Sequence, residues 1–176
     1  MADEMKDPWL NLLALTTVIL AVCATLATFK GGGYSTRSVM SQAQASDQWA
    51  FYQAKSVKAN LYEINKDQLE MQAKGATGAR AEDLQRKADE YGKKVTRYES
   101  EKEAIQAEAH RLEKVKEEAQ KHSAAFGIAV IFLQISILLS SIAALLKKQP
   151  VWWLGLAVGA LGIVYFMNGF LLFLKA

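Results

Sequence analysis

The sequence predicts an all-α membrane protein, with three transmembrane helices plus a long antiparallel coiled-coil hairpin between spans 1 and 2. Three observations carry that prediction. Residues 9–29, 124–146 and 151–174 contain no Asp, Glu, Lys or Arg over 21, 23 and 24 positions, and about 20 residues at about 1.5 Å rise each suffice to cross a bilayer. The 141 residues between the two prolines, Pro8 and Pro150, are open to uninterrupted helix. In the water-facing block, residues 30–123, small and apolar positions recur every three or four residues, as in a coiled-coil seam. The apolar stretches exclude a soluble globular enzyme.

The elements follow in order. Residues 1–8 form an N-terminal tail with more acid than base and no small-residue cleavage pattern after it, so the first span, 9–29, is expected to stay as an anchor. Pro8 suits the first turn of that helix, where a missing N–H costs nothing, and Pro150 plays the same part for the third span. Gly31-Gly32-Gly33 predicts a glycine hinge over residues 30–34, because glycine weakens a helix interior, and Ser35 and Thr36 offer caps for a fresh start. The extramembrane hairpin then occupies 35–123, with its turn at 75–78 in the run Gly75-Ala76-Thr77-Gly78. Transmembrane helix 2 covers 124–146 and transmembrane helix 3 covers 151–174.

The hairpin's register is read from its 3,4 spacing. Along the first arm the pattern picks out Met40, Ala43, Asp47, Ala50, Ala54, Val57, Leu61, Ile64, Gln68 and Met71. Along the second it picks out Leu84, Ala88, Tyr91, Val95, Tyr98, Lys102, Ile105, Ala109, Leu112, Val115 and Ala119. Folding about residue 76 sets Leu61 against Tyr91, Ile64 against Ala88, Val57 against Val95 and Ala54 against Tyr98. Asp47 then falls on the seam, where a charge needs a donor such as Lys102, the Trp49 indole of a neighbouring copy, or water.

Residues 30–123 carry 17 basic and 15 acidic side chains, interspersed, which is no footprint for nucleic acid. Cys23 is the single cysteine, so disulfides within the chain are excluded. Lys30, Arg37, Arg111, Lys114, Lys116, Lys121 and Lys175 lie on the hairpin side of the spans, against Lys6, Lys147 and Lys148 on the other. By the positive-inside rule the hairpin faces the cytoplasm.

Signatures of catalysis are absent. The chain has no phosphate-binding glycine loop, no zinc-protease pair and no nucleophile elbow, and the two histidines stand twelve residues apart. The expectation is no catalytic residue, no metal and no cofactor, with membrane lipid as surroundings. Three other groups are singled out. Asp47, Trp49, Phe51 and Tyr52 place three large aromatics at angles that one partner helix cannot cover, which predicts contact with a second copy or an unidentified protein partner. Gly155, Gly159, Gly162 and Gly169 form a stripe for close helix packing in the membrane, within one chain or between chains. Gln134, Ser136 and Asn168 are polar positions in the spans, suited to interhelical hydrogen bonds or to a conduit.

The run Leu13-Ala-Leu-Thr-Thr-Val-Ile-Leu-Ala-Val22, followed by Ser41-Gln-Ala-Gln-Ala-Ser-Asp-Gln-Trp-Ala-Phe-Tyr-Gln-Ala-Lys-Ser56, resembles a family of bacterial multi-pass membrane proteins with a domain of unknown function. The resemblance extends along the chain, as an N-terminal span, a charged helical region and a C-terminal pair of spans. It implies the bacterial inner membrane and supplies no activity. The reading that follows is a non-enzymatic, homo-oligomeric scaffold with a helical stalk. An oligomeric pore is the alternative, and an adaptor that recruits a partner through Asp47, Trp49 and Tyr52 is a further one.

Overall fold

The computed structural model describes residues 8–174, so most of the N-terminal tail, with Lys6, and Lys175 lie outside the described residues. The described chain is helical, with three helices: α1 Pro8–Lys74, α2 Ala79–Leu146 and α3 Gln149–Leu171. Each contains a segment long and apolar enough to cross a membrane, by length and composition. Pro8 and Pro150 both stand in the first turn of their helices. The link between α1 and α2 is short, and Gly78, at φ +64°, supplies the left-handed residue that reverses the chain. Leu172, at φ 49° and ψ 41°, closes α3 by donating its N–H to the Asn168 carbonyl at 2.8 Å. The third helix therefore ends at Leu171, short of the expected residue 174.

The chain divides into two compact units. The first contains the described residues 8–39 and 116–174. Its core is built in three apolar layers: Leu13, Ala143 and Trp152; Leu20, Ala24 and Leu133; and Ala27, Phe126 and Ala129. Small residues alternate with large ones in each layer, which lets helix backbones approach closely.

The expected hinge at Gly31-Gly32-Gly33 is corrected here, because α1 runs through all three glycines and Ser35 begins no new helix. A glycine costs a helix only about 1 kcal/mol relative to alanine, and here Gly31 is buried against α2. A Cβ at Gly31 would stand 3.0 Å from the Phe126 Cβ, and the Ser123 hydroxyl donates to the Gly31 carbonyl at 3.1 Å. The residue is a point of close approach, whereas Gly32 and Gly33 face open space.

The second unit, residues 40–115, holds the two arms, which run antiparallel: Trp49 meets Glu113, Lys55 meets Glu101 and Tyr62 meets Tyr91. On the α2 arm, every seam position read from the sequence between Leu84 and Val115 is buried or half-buried. On the α1 arm, all ten positions read as seam are exposed. The arm presents instead the set on its opposite face that runs through Ser41, Ala45, Tyr52, Ala59, Tyr62 and Lys66, again in 3,4 steps. The pairs given to Leu61, Ile64, Val57 and Ala54 are accordingly corrected, and Tyr62 sits where Leu61 was expected.

The reason is the kind of surface that the α2 arm offers. Tyr91 and Tyr98 bracket the Tyr62 ring at 5.3 and 5.7 Å between centroids, and Lys94 lies 4.9 Å above it. Lys55 holds its ammonium group 5.0 Å from the centre of the Tyr98 ring and pairs it with Glu101. Tyrosine and lysine cover apolar area while keeping a polar end wet, so they fill this seam where the aliphatic side chains were expected.

Candidate functional site

The aromatic cluster splits along this seam. Trp49 is half-buried, donates its indole N–H to Glu113 Oε1 at 2.9 Å, and sets its ring edge-on to Tyr52 and His110 at 5.6 and 5.2 Å. His110 Nδ1 lies 2.9 Å from the other Glu113 oxygen, so that one carboxylate ties the two arms together. Lys102 stands 5.3 Å above the Tyr52 ring and pairs with Glu99 at 2.9 Å. That pairing raises the Lys102 ammonium above its ordinary range. Phe51, by contrast, is 59% exposed.

Of the partners expected for Asp47, Lys102 pairs with Glu99 and this chain's Trp49 indole with Glu113, which leaves water. Asp47 is off the intramolecular seam, exposed, and forms no ion pair among the described residues. Because the opposite face of the α1 arm meets α2, Asp47 stands in water rather than at a costly buried position. Further along, a hydrogen bond from Lys55, with Arg97 second, holds the Glu101 carboxyl below its usual range.

In the other unit the glycine stripe packs within one chain. A Cβ at Gly155 would stand 3.3 Å from the Leu139 Cβ, one at Gly159 2.7 Å from the Ser136 hydroxyl, one at Gly162 3.0 Å from the Leu133 backbone nitrogen, and one at Gly169 2.6 Å from the Phe126 ring. All four glycines make room for α2, which resolves the choice left open by the sequence. Ser136 is fully buried and donates to the Gly155 carbonyl at 2.6 Å. Asn168 is buried as well, and its Oδ1 accepts from the Leu174 N–H at 2.7 Å. Gln134 is exposed and hydrogen-bonds to no described residue. The three polar positions therefore line no common surface: two serve helix packing and termination, and one points outward.

One cluster escaped the sequence reading. His122 Nδ1 approaches the Gly169 carbonyl at 2.8 Å, and its ring stacks on Tyr34 at 4.5 Å. A carbonyl oxygen only accepts, so the ring proton of a neutral His122 sits on Nδ1. Twelve residues from the other histidine and paired through a backbone carbonyl rather than a side chain, His122 gave no signal. Among the described residues, no group of three or more His, Cys, Asp or Glu is placed to hold a metal ion.

These features define an all-helical chain with three segments suited to membrane crossing by length and composition, and an antiparallel pair of arms. The chain belongs to the family described as "Domain of unknown function (DUF4337)", whose model matches residues 9–172. No curated protein and no solved structure matches it.

Proposed function

We propose that this protein is a non-enzymatic scaffold of the bacterial inner membrane, assembled from several copies, each anchored by three spans and carrying a cytoplasmic coiled-coil hairpin. The observation that carries the reading is the apolar surface left on the α1 arm: Val57 is 58%, Leu61 55% and Ile64 63% exposed. Monomeric proteins in water rarely keep such side chains adjacent on one surface, and assembly removes them from solvent. The spans lack ionisable side chains, which argues against an ion-coupled transporter. Basic residues flanking the spans on the hairpin side support the cytoplasmic placement. The test is the mass of the full-length complex in mild detergent. A defined multimer is expected, and a monomer at membrane-like concentration overturns the reading.

Gln134 favours a second reading, an oligomeric pore. An amide that faces outward from a span has no water in the hydrocarbon to satisfy it, so it calls for a polar neighbour, either another copy or a water-filled conduit. Proteoliposomes that release ions or small solutes only when they hold wild-type protein, and not Gln134→Leu, would select the pore over the scaffold.

A further inference from the structure

The α1 arm carries a second seam that the hairpin leaves unused. Its residues repeat in unbroken 3,4 steps on the face of the helix turned away from the one that meets α2, and all of them are exposed. Met40, Val57, Leu61, Ile64 and Met71 are its large members, exposed by 55 to 67%. A single exposed leucine is ordinary, but a continuous stripe at heptad spacing is the knob pattern of a helix-to-helix contact.

We infer that this stripe, from Met40 to Met71 on α1, binds the same stripe of a second copy, parallel and in register. The inference rests on the self-assembling reading above and names its surface. Two arguments favour a second copy as the occupant. Identical chains inserted through identical spans present the same arm at the same height and in the same direction, so the stripes meet without an axial shift. The flanks also tolerate this pairing. In a parallel pair each flanking residue faces the one five positions later, which gives Ser46 with Phe51, Gln53 with Lys58, Asn60 with Asn65 and Asp67 with Gln72. No like charges meet.

Size is consistent with this. A stripe of 31 helical steps is about 46 Å long and a helix about 10 Å wide, so the two copies together cover roughly 900 Å². That is near the ~1,000 Å² of a weak specific interface, and confinement in one membrane raises the effective concentration of the copies. Asp47 is the exception within the stripe. In this register it faces the second copy's Asp47, and that repulsion keeps the contact weaker than its apolar members alone would make it.

The test uses the full-length chain in membrane vesicles with Cys23→Ser, which leaves no other thiol. Single cysteines are placed by Ala50→Cys, Ala54→Cys and Val57→Cys, with Thr96→Cys on the exposed α2 surface as control, and mild oxidation follows. Disulfide-linked dimers are expected at the three α1 positions and not at the control. Adding Asp47→Asn is expected to raise the cross-linked fraction, as removal of one like-charge pair would. Failure of the same-residue disulfides in a preparation whose mass is multimeric overturns this inference and leaves the scaffold reading standing. Monomeric mass overturns both. Equal cross-linking at Thr96→Cys marks random collision and overturns the inference, and loss of cross-linking with Asp47→Asn overturns the parallel, in-register pairing that sets Asp47 against its own counterpart.

Discussion

The two arms of the second unit are nearly equal in length and opposite in surface. Residues 40–74 of α1 carry 8 charged side chains, whereas residues 79–115 of α2 carry 18. The α2 arm is dressed for water, with ion pairs one turn apart such as Arg97 with Glu101 and Arg111 with Glu108. The α1 arm shows water a row of aliphatic side chains instead. Exposed ion pairs add little stability, so the charge on α2 serves mainly solubility, and its scarcity on α1 is the feature on which the proposed contact between copies rests. On that proposal one arm faces solvent, and the other has one helix partner and a place for another.

The largest effect should come from charging the uncovered stripe. Leu61→Lys with Ile64→Lys removes two apolar side chains worth about 1.5–3 kcal/mol each when buried, so the multimer should dissociate while circular dichroism stays helical. Thr96→Lys on the exposed surface of α2 should leave the mass unchanged. If both variants dissociate, or neither does, the contrast between the arms is wrong.

Trp49→Ala acts on the seam that the arms share. It deletes a half-buried ring and removes the indole donor from one Glu113 oxygen, at a cost of about 2–3 kcal/mol, read as a lower urea midpoint for the helices of the second unit. Gly162→Ala extends the comparison to the other unit, where packing is self-contained. The added methyl meets the Leu133 side chain and backbone nitrogen, which costs about 1–2 kcal/mol and lowers the thermal midpoint in detergent without changing the assembled mass.

The smallest effect is on pH. The Glu101 carboxyl is held below its ordinary value by Lys55 and Arg97, so it is more acidic folded than unfolded. Its contribution is therefore present above the usual glutamate range, about 4.3, and is lost as pH falls through the lowered folded value. Unfolding of the arms followed across that window should shift less with pH in Glu101→Gln than in wild type.

The contrast between the arms also explains what could be read from sequence. The α2 seam was legible because its small and apolar members stand among charges, so Ala88, Ala109 and Leu112 stand out from their neighbours. The α1 arm offers two 3,4 rows on opposite faces, one aliphatic and one of alanine, serine, tyrosine and lysine. Hydropathy favours the first, yet α2 takes the second, because Tyr62 and Lys55 find Tyr98 and Glu101 opposite them. Periodicity alone cannot say which of two rows meets a given partner.

At the glycine triplet the sequence was read through propensity, and packing prevailed: Gly31 lies against Phe126, and the helix continues. For Gly155, Gly159, Gly162 and Gly169 spacing identified the face, while the partner became visible only once Ser136, Leu133 and Phe126 were in place.

The central claim is that the uncovered face of α1 holds copies of this chain together. Native mass spectrometry of the full-length protein from mild detergent, run beside the Leu61→Lys, Ile64→Lys variant, tests it most directly. The account predicts a defined multimer for the wild type and monomer for the variant. A monomeric wild type, or a variant that retains the wild-type mass, would contradict it.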